Sequence, residues 1–227
     1  MGEVVRLTNA EDGFAFEAYH APTPDARRGG LVVIPAIWGV TPHIRELCDS
    51  YAEDGYEVLA PSLFDRFEPG FPGANTDPPA LARRMDYVER LGFGERALGD
   101  VQAVIDALAP PVALMGFCFG GTVAWLAACR ARGLAAVSSF YGGHIVRFRH
   151  ETPLCPTHLH LGRRDELIPQ ADVAAIVEAQ PELPVFQYDA GHAFVAPGEH
   201  VADAARLSRL RTLQLFHRAG GGRGEGG

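Results

Sequence analysis

Several features are missing from this sequence of 227 residues, and each absence argues against a class of protein. No apolar run approaches the 18 residues of a membrane-spanning helix, and residues 1–10 lack the apolar core and cleavage site of a secretory signal. Basic residues are outnumbered by acidic ones, 20 to 28, which argues against nucleic acid as a partner. We therefore expect a cytoplasmic protein that acts on a small molecule and has no membrane or nucleic acid partner.

Cysteine is scarce, and its spacing is not that of a metal site or of a disulfide framework. The four cysteines form no Cys-x-x-Cys pair, so we interpret them as reduced thiols. They are Cys48, Cys118, Cys129 and Cys155. His158 and His160 share one face of a predicted strand, but no third ligand candidate lies near them. We assign both histidines to the core or its rim and expect neither a metal nor a cofactor.

Composition and length together indicate one globular domain. Apolar residues make up 47% of the chain and charged residues 21%, which is the balance of a protein with a full core. We expect a single domain over residues 1–219 and a disordered, glycine-rich tail over residues 220–227, which has nothing to bury. We expect this domain to be a monomer or a weak homodimer.

Short apolar runs alternate with helical patterns along the chain. An alternating run predicts an antiparallel edge strand at residues 14–19. Continuous apolar runs predict buried strands at residues 31–35, 57–60, 112–115, 135–140, 157–161 and 185–188. Helices are predicted at residues 41–53, 80–90, 95–108, 119–130, 169–179 and 198–217. The alternation predicts a mostly parallel open α/β sheet of about seven to eight strands, with helices on both faces.

One segment interrupts the alternation of strands and helices. Residues 64–79 are rich in proline and glycine and show no periodicity. Such a segment is either a binding loop or lid, or a solvated loop on the surface.

The strongest functional signal is the turn GFCFGG at residues 116–121, between a predicted strand and a predicted helix. This context is typical of a nucleophile elbow, in which glycines two positions before and after the nucleophile avoid clashes. The Cys118 thiol would stand at a helix N-terminus, where the helix dipole favours the thiolate, and the N–H of Phe119 would bind an oxyanion. The alternative is a buried structural cysteine in a glycine-rich turn.

A cysteine nucleophile needs a base, and the base needs an acid that orients it. Asp165 and His192 each follow a predicted strand, so both are expected at the same edge of the sheet as Cys118. The chain order of nucleophile, acid and base is the order found in α/β-hydrolases. Glu166 and Asp189 are alternatives for the acid, and we favour Asp165.

These motifs, together with IPAIWGV at residues 34–40, resemble the dienelactone hydrolase family. The likeness extends over about residues 13–217 and implies the α/β-hydrolase fold of the carboxymethylenebutenolidases and a Cys-His-Asp triad. It implies that Cys118 is the nucleophile, His192 the base and Asp165 the orienting acid. It also implies an oxyanion hole formed by the backbone N–H groups of Ile37 and Phe119.

Two positions depart from the pattern of the family. Ala36 stands where the family has a glutamate that contacts the resting thiol, and Ala196 where it has an arginine that holds the substrate carboxylate. The resemblance implies that Arg83 and Tyr87, on one helix face, still bind substrate, with Arg84 as an alternative to Arg83. An ordinary solvated helix charge is the other interpretation of this arginine.

The resulting hypothesis is a hydrolase that cleaves an ester or lactone through a thioester, with altered recognition of a substrate carboxylate. Trp38 is expected to line the pocket. Four further aromatic residues either line the pocket or pack in the core: Phe117, Phe119, Tyr141 and Phe194. The missing glutamate leaves a non-hydrolytic binding protein of the same fold as one alternative. An acyltransferase, in which an amine or thiol intercepts the acyl-enzyme, is the other.

Overall fold

The computed structural model describes residues 2–24, 26–71 and 77–220. The strands are β1 (Glu3–Thr8), β2 (Ala15–Ala21), β3 (Gly29–Ile34), β4 (Tyr56–Pro61), β5 (Val112–Phe117), β6 (Leu134–Phe140), β7 (Thr157–Gly162) and β8 (Val185–Tyr188). The helices are α1 (Pro42–Glu53), α2 (Pro78–Leu91), α3 (Glu95–Asp106), α4 (Phe119–Arg130), α5 (Gln170–Ala179) and α6 (Ala202–Gly220), with a short 3-10 helix at Ile145–Phe148. None of these helices is long and apolar enough to cross a membrane.

The eight strands form one sheet in the order β1-β2-β4-β3-β5-β6-β7-β8. Strands β3 to β8 are parallel to their neighbours, whereas β2 is antiparallel to both β1 and β4. This arrangement confirms the predicted mostly parallel open sheet and the α/β-hydrolase fold. The prediction that residues 14–19 form an edge strand is wrong, because β1 pairs with the outer side of β2. Most side chains of β1 are exposed, so this strand lacks the apolar pattern of a buried one.

Helices cover both faces of the sheet, as predicted. Buried residues of α1 and α6, such as Tyr51 and Phe216, join one core cluster with the sheet. Residues of α2, α3 and α4, such as Val104 and Val123, form a second cluster with Leu114 and other strand residues. The nucleophile turn is the start of α4, a helix whose residues 119–128 are all buried. Packing on all sides therefore holds the turn in place.

The ends of the helices differ slightly from the predicted ones. Helix α1 begins as expected, because the Thr41 side chain accepts a hydrogen bond from the N–H of Ile44 and Pro42 occupies the first turn. Helix α6 starts four residues later than predicted and continues to Gly220. Residues 221–227 of the predicted disordered tail lie outside the described residues, as do residues 72–76 of the loop at 64–79.

A buried cluster of charges ties the β1–β2 turn to the rest of the domain. Asp100 on α3 is completely buried and accepts hydrogen bonds from Arg66 (2.7 and 2.9 Å) and from Asn9 (2.8 Å). Arg66 also donates to Asp12 and lies over the ring of Phe14 at 4.3 Å. A carboxylate at this depth needs these donors, because burial of an uncompensated charge is costly.

We expect Arg66→Ala to lower the free energy of unfolding by about 3–5 kcal/mol, because it leaves the Asp100 carboxylate buried with too few donors. Urea denaturation measures this effect. Arg206→Ala is the control, since Arg206 and its partner Asp203 are largely exposed, and it should cost less than about 0.5 kcal/mol. Equal stabilities of the two variants would contradict the structural importance of the cluster.

Candidate active site

The predicted site residues follow strands that end at one edge of the sheet. Cys118 comes directly after β5, Asp165 follows β7 and His192 follows β8. Ile37 lies in the loop after β3, whose last residue, Ile34, pairs with Gly116 of β5. Because these strands are parallel, all four loops lie at the carboxyl edge, where open α/β sheets bind their ligands.

The turn at Cys118 has the strained backbone of a nucleophile elbow. Cys118 has a φ of 54°, and its N–H donates to the carbonyl of Phe140 at 3.0 Å. A Cβ at Gly116 would lie 2.0 Å from the carbonyl oxygen of Gly120, and one at Gly120 would lie 2.4 Å from that of Ile34. Only glycine fits at these two positions, so the turn packs tightly against β3 and holds the cysteine above the sheet edge.

Two backbone N–H groups at this edge of the sheet are the expected oxyanion donors. Within the described residues, neither the N–H of Ile37 nor that of Phe119 donates to another group of the protein. Phe119 is the first residue of α4, so its N–H is one of the free donors at a helix N-terminus. Ile37 lies in the neighbouring loop and is only half-buried. That these two N–H groups form an oxyanion hole stays a prediction.

His192 and Asp165 form a direct hydrogen bond. The Nδ1 atom of His192 lies 2.8 Å from Oδ2 of Asp165. The Asp165 side chain is fully buried, and its other oxygen accepts the N–H of Leu167 at 2.9 Å. Glu166 and Asp189 are exposed, and Asp189 pairs with Arg164 at 3.1 Å. Of the three candidate acids, the structure brings Asp165 to His192.

The environment of His192 favours its protonated form. Burial by itself lowers the pKa of this imidazole, but the hydrogen bond to Asp165 and the interactions with Cys118 and with the Asp165 charge outweigh burial and raise the pKa to about 9. The second ring nitrogen, Nε2, is buried and makes no hydrogen bond with the described residues in this geometry. An imidazole held by a carboxylate on one nitrogen and close to a thiol can exchange a proton with that thiol.

Tyr141, the first residue after β6, packs beside this pair. It is buried and has a φ of 39°, and its ring centroid lies 5.0 Å from that of His192. Burial, followed by the nearby Cys118 and Asp165, raises its pKa well above the ordinary value. Positive φ values at residues 118 and 141 show that backbone strain is concentrated around the candidate site.

Most of the aromatic residues named as candidate pocket lining belong to the core. Phe117, Phe119 and Phe194 are each at most 4% exposed. The Phe119 ring packs against Phe64 at 5.6 Å and Phe93 at 5.4 Å. Core packing is therefore the better interpretation of these three predicted residues. Trp38, in the loop after β3, is half-buried, and its place in a pocket stays a prediction.

Helix α2 turns Arg84 rather than Arg83 toward the protein. Arg83 is exposed, whereas Arg84 is buried and lies 5.5 Å from the ring centroid of Tyr87. An ion pair with Glu68 at 3.3 Å compensates the charge of Arg84. The structure thus places Arg84, and not Arg83, on the buried face of α2 with Tyr87, and a role of Tyr87 in substrate binding stays a prediction. The family pattern, with an arginine four residues before a tyrosine, pointed to Arg83, but the buried face of the helix contains Ala80, Arg84, Tyr87 and Leu91.

Apolar side chains occupy the two positions where the sequence departs from the family pattern. Ala36 and Ala196 are both half-buried. Ala36, Cys118 and Ala193 pack against the same core cluster. A methyl group therefore stands at position 36, where the resemblance implies a carboxylate.

His160 and two of the other cysteines have structural surroundings. His160 is completely buried and hydrogen-bonds to the Tyr188 hydroxyl at 2.7 Å, a pair for which the sequence carried no local signal. Its neighbour His158 is half-buried. Across residues 2–24, 26–71 and 77–220, no three histidines, cysteines or acids are grouped to hold a metal. Burial raises the pKa of Cys129 to about 12 and also raises that of Cys155.

Comparison with known proteins agrees with this geometry. Residues 16–220 match the sequence profile of the dienelactone hydrolase family. Carboxymethylenebutenolidase from Pseudomonas putida is 31% identical over 221 residues, covering 90% of this chain and 92% of the relative. The corresponding enzyme of Pseudomonas sp. strain P51 is 28% identical over 224 residues, covering 92% and 93% of the two chains.

The solved structures give the same result. A crystal structure from Klebsiella pneumoniae, provisionally named a dienelactone hydrolase, superposes with a TM-score of 0.82 at 26% identity. The match covers 95% of this chain and 98% of that one. Profile, relatives and fold therefore agree with the resemblance carried by the turn at Cys118, and the chain belongs to the dienelactone hydrolase family.

Proposed function

We propose that this protein hydrolyses a carboxylic ester or lactone, with Cys118 as nucleophile, His192 as general base and acid, and Asp165 as the orienting carboxylate. The observation that carries the proposal is the 2.8 Å hydrogen bond between His192 and Asp165, at the sheet edge where the strained Cys118 turn also lies. Nucleophile, base and orienting acid in this arrangement are the parts needed for acyl transfer.

In the first step, His192 holds the thiol proton on Nε2, and the Cys118 sulfur attacks the carbonyl carbon. The N–H groups of Ile37 and Phe119 bind the oxyanion of the tetrahedral intermediate. When the intermediate collapses, the C–O bond breaks and the leaving alkoxide takes the proton from His192. The acyl group remains on sulfur as a thioester. In a lactone, the alcohol stays tethered to the acyl group.

In the second step, neutral His192 removes a proton from water, and the resulting hydroxide attacks the thioester carbon. The C–S bond then breaks, the carboxylic acid leaves, and Cys118 and His192 again share the proton that they shared at the start. Asp165 keeps Nδ1 of the imidazole protonated, so that Nε2 faces the reacting groups in both steps.

The surroundings of the thiol favour a substrate with less negative charge than a lactone carboxylate. Ala36 and Ala196 supply no charge. Arg84, the buried arginine of α2, is already paired with Glu68 at 3.3 Å. A substrate carboxylate would have to compete with Glu68 for this guanidinium. Loss of one charge-assisted contact weakens the binding of an anion by about 1.5–3 kcal/mol, and we therefore favour neutral esters and lactones.

We expect Cys118→Ala and His192→Ala each to lower kcat/KM for p-nitrophenyl acetate by about a thousandfold or more, because each removes a group that acts in both steps. Steady-state kinetics with purified protein measures the loss. Cys129→Ala is the matched control and should keep the wild-type rate, since this half-buried thiol lies at the far end of α4. Near wild-type turnover in Cys118→Ala would refute the mechanism.

The pH dependence of kcat/KM should have an alkaline limb near pH 9. The raised pKa of His192 keeps the imidazole protonated below about pH 9, and this proton is needed by the leaving alkoxide. Activity should therefore fall as the pH rises through that value. Asp165→Asn should move the limb to lower pH, because the hydrogen bond with Asp165 is the strongest of the effects that raise the pKa. Asp189→Asn is the control, and a limb unaffected by Asp165→Asn would contradict the assignment of the acid.

Iodoacetamide at pH 7 should label Cys118 before the other cysteines, by about tenfold or more in rate. Cys48 is completely buried, and burial raises the pKa of the Cys129 and Cys155 thiols. Mass spectrometry of timed digests locates the label, and His192→Ala should slow the modification of Cys118. An unreactive Cys118 together with no esterase burst would instead identify a binding protein of the same fold.

A further inference from the structure

A line of buried polar side chains crosses the sheet near the candidate active site, and the proposed reaction does not use it. Its members come from three strands and one helix and are at most 5% exposed: Ser138, His160, Tyr188 and Thr212. The Tyr188 hydroxyl lies 2.7 Å from Nδ1 of His160, and Nε2 of that ring lies 3.4 Å from Oγ1 of Thr212. Thr212 Oγ1 lies 2.7 Å from the hydroxyl of Ser138.

The donors and acceptors of this line can be assigned. The Arg211 guanidinium lies 5.3 Å from the ring centroid of Tyr188 and can only donate, so we assign the phenol proton to the contact with Nδ1 of His160. Burial lowers the pKa of His160 well below its ordinary value, and the charges of His158 and Arg211 act in the same direction. The neutral ring therefore carries its own proton on Nε2 and donates it to Thr212. Both ring nitrogens of His160 are used, which fixes the ring in one orientation.

The main chain of Tyr188 holds the two loops that carry the acid and the base. Its carbonyl accepts the N–H of Arg163 at 2.8 Å, at the start of the loop that leads to Asp165. The same carbonyl accepts the N–H of Ala190 at 2.9 Å, in the loop that leads to His192. A displacement of Tyr188 would therefore move both loops.

The main chain of His160 holds Tyr141, whose ring packs against His192. Its carbonyl accepts the N–H of Tyr141 at 2.8 Å, the residue with positive φ whose ring packs against His192. The His160 ring stacks on Phe140, the last residue of β6, with centroids 4.6 Å apart. The His160 side chain thus packs against the end of β6, and the next residue, Tyr141, contacts His192.

We propose that Tyr188 and His160 are positioning residues for the hydrolysis, joined by their side-chain hydrogen bond. They touch neither the thiol nor the carbonyl carbon and act by fixing the geometry between Asp165 and His192. The proposal rests on the proposed function, since a positioning residue needs a reaction to support. It assigns a role to two residues outside the predicted triad and oxyanion hole.

Tyr188→Phe tests this role, because it removes the hydroxyl and keeps a ring that packs against Phe194. We expect kcat for p-nitrophenyl acetate, per active site titrated with iodoacetamide, to fall about tenfold while KM changes less than about twofold. The alkaline limb should move to lower pH by about half a unit or more, because the Asp165–His192 hydrogen bond weakens. Tyr51→Phe is the matched control, as Tyr51 is also buried and its hydroxyl interacts with Arg209 instead. It should change neither quantity.

An NMR titration of the His192 imidazole nitrogens gives a readout that is independent of turnover. If the wild-type protein shows no Cys118-dependent hydrolysis, the proposed function fails, while the titration still tests whether Tyr188→Phe lowers the pKa of His192. A Tyr188→Phe variant with only a lower unfolding temperature, and with a wild-type titration and rate per site, would overturn the positioning role. If Tyr188→Phe does not fold, His160→Asn replaces it, because the asparagine side chain keeps an acceptor near the position of Nδ1. A wild-type titration of His192 in His160→Asn would likewise overturn the positioning role.

Discussion

The candidate site depends on one steric constraint, the close packing of the turn after β5 against the backbone of β3. No side chain fits at Gly116 or Gly120, where an added Cβ would lie within 2.4 Å of a carbonyl oxygen. This packing allows Cys118 to keep a positive φ, a conformation that costs about 1–3 kcal/mol by itself. It also places the first N–H of α4, that of Phe119, next to the loop after β3, which carries Ile37. The packing of Gly120 against β3 therefore sets both the position of the thiol and that of these two N–H groups.

The electrostatics of the site depend on a small number of groups. The fully buried Asp165 carboxylate is satisfied by the N–H of Leu167 and by His192, and the raised pKa of His192 follows from that partner and from Cys118. Ala36 carries no charge, and Arg84 is paired with Glu68. The protonation of His192 therefore depends on Asp165 and Cys118, and the hydrogen bond between Asp165 and His192 requires that the loops after β7 and β8 keep their relative positions.

The sequence predicted the parts of the structure that rest on local patterns. Strands β3 to β8 were predicted because buried parallel strands are continuous apolar runs. The position of Cys118, Asp165 and His192 at one edge of the sheet was predicted because each follows such a strand. Strand β1 was missed because most of its side chains face solvent. The resemblance, which pairs an arginine with a tyrosine four residues later, favoured Arg83 over Arg84, although the rotation of α2 is set by its buried face. The contact between His160 and Tyr188 joins residues 28 positions apart on neighbouring strands, and no local pattern encodes it.

The two alanines at positions 36 and 196 lie on loops that leave β3 and β8, while the hydrogen bond between Asp165 and His192 is anchored by the strands behind them. Under the proposed function, we expect a change of side chain at either alanine to alter which molecule is accepted while Asp165 and His192 keep their hydrogen bond. Descendants of one ancestral hydrolase can in this way diverge in their choice of ligand while they inherit the same chemistry.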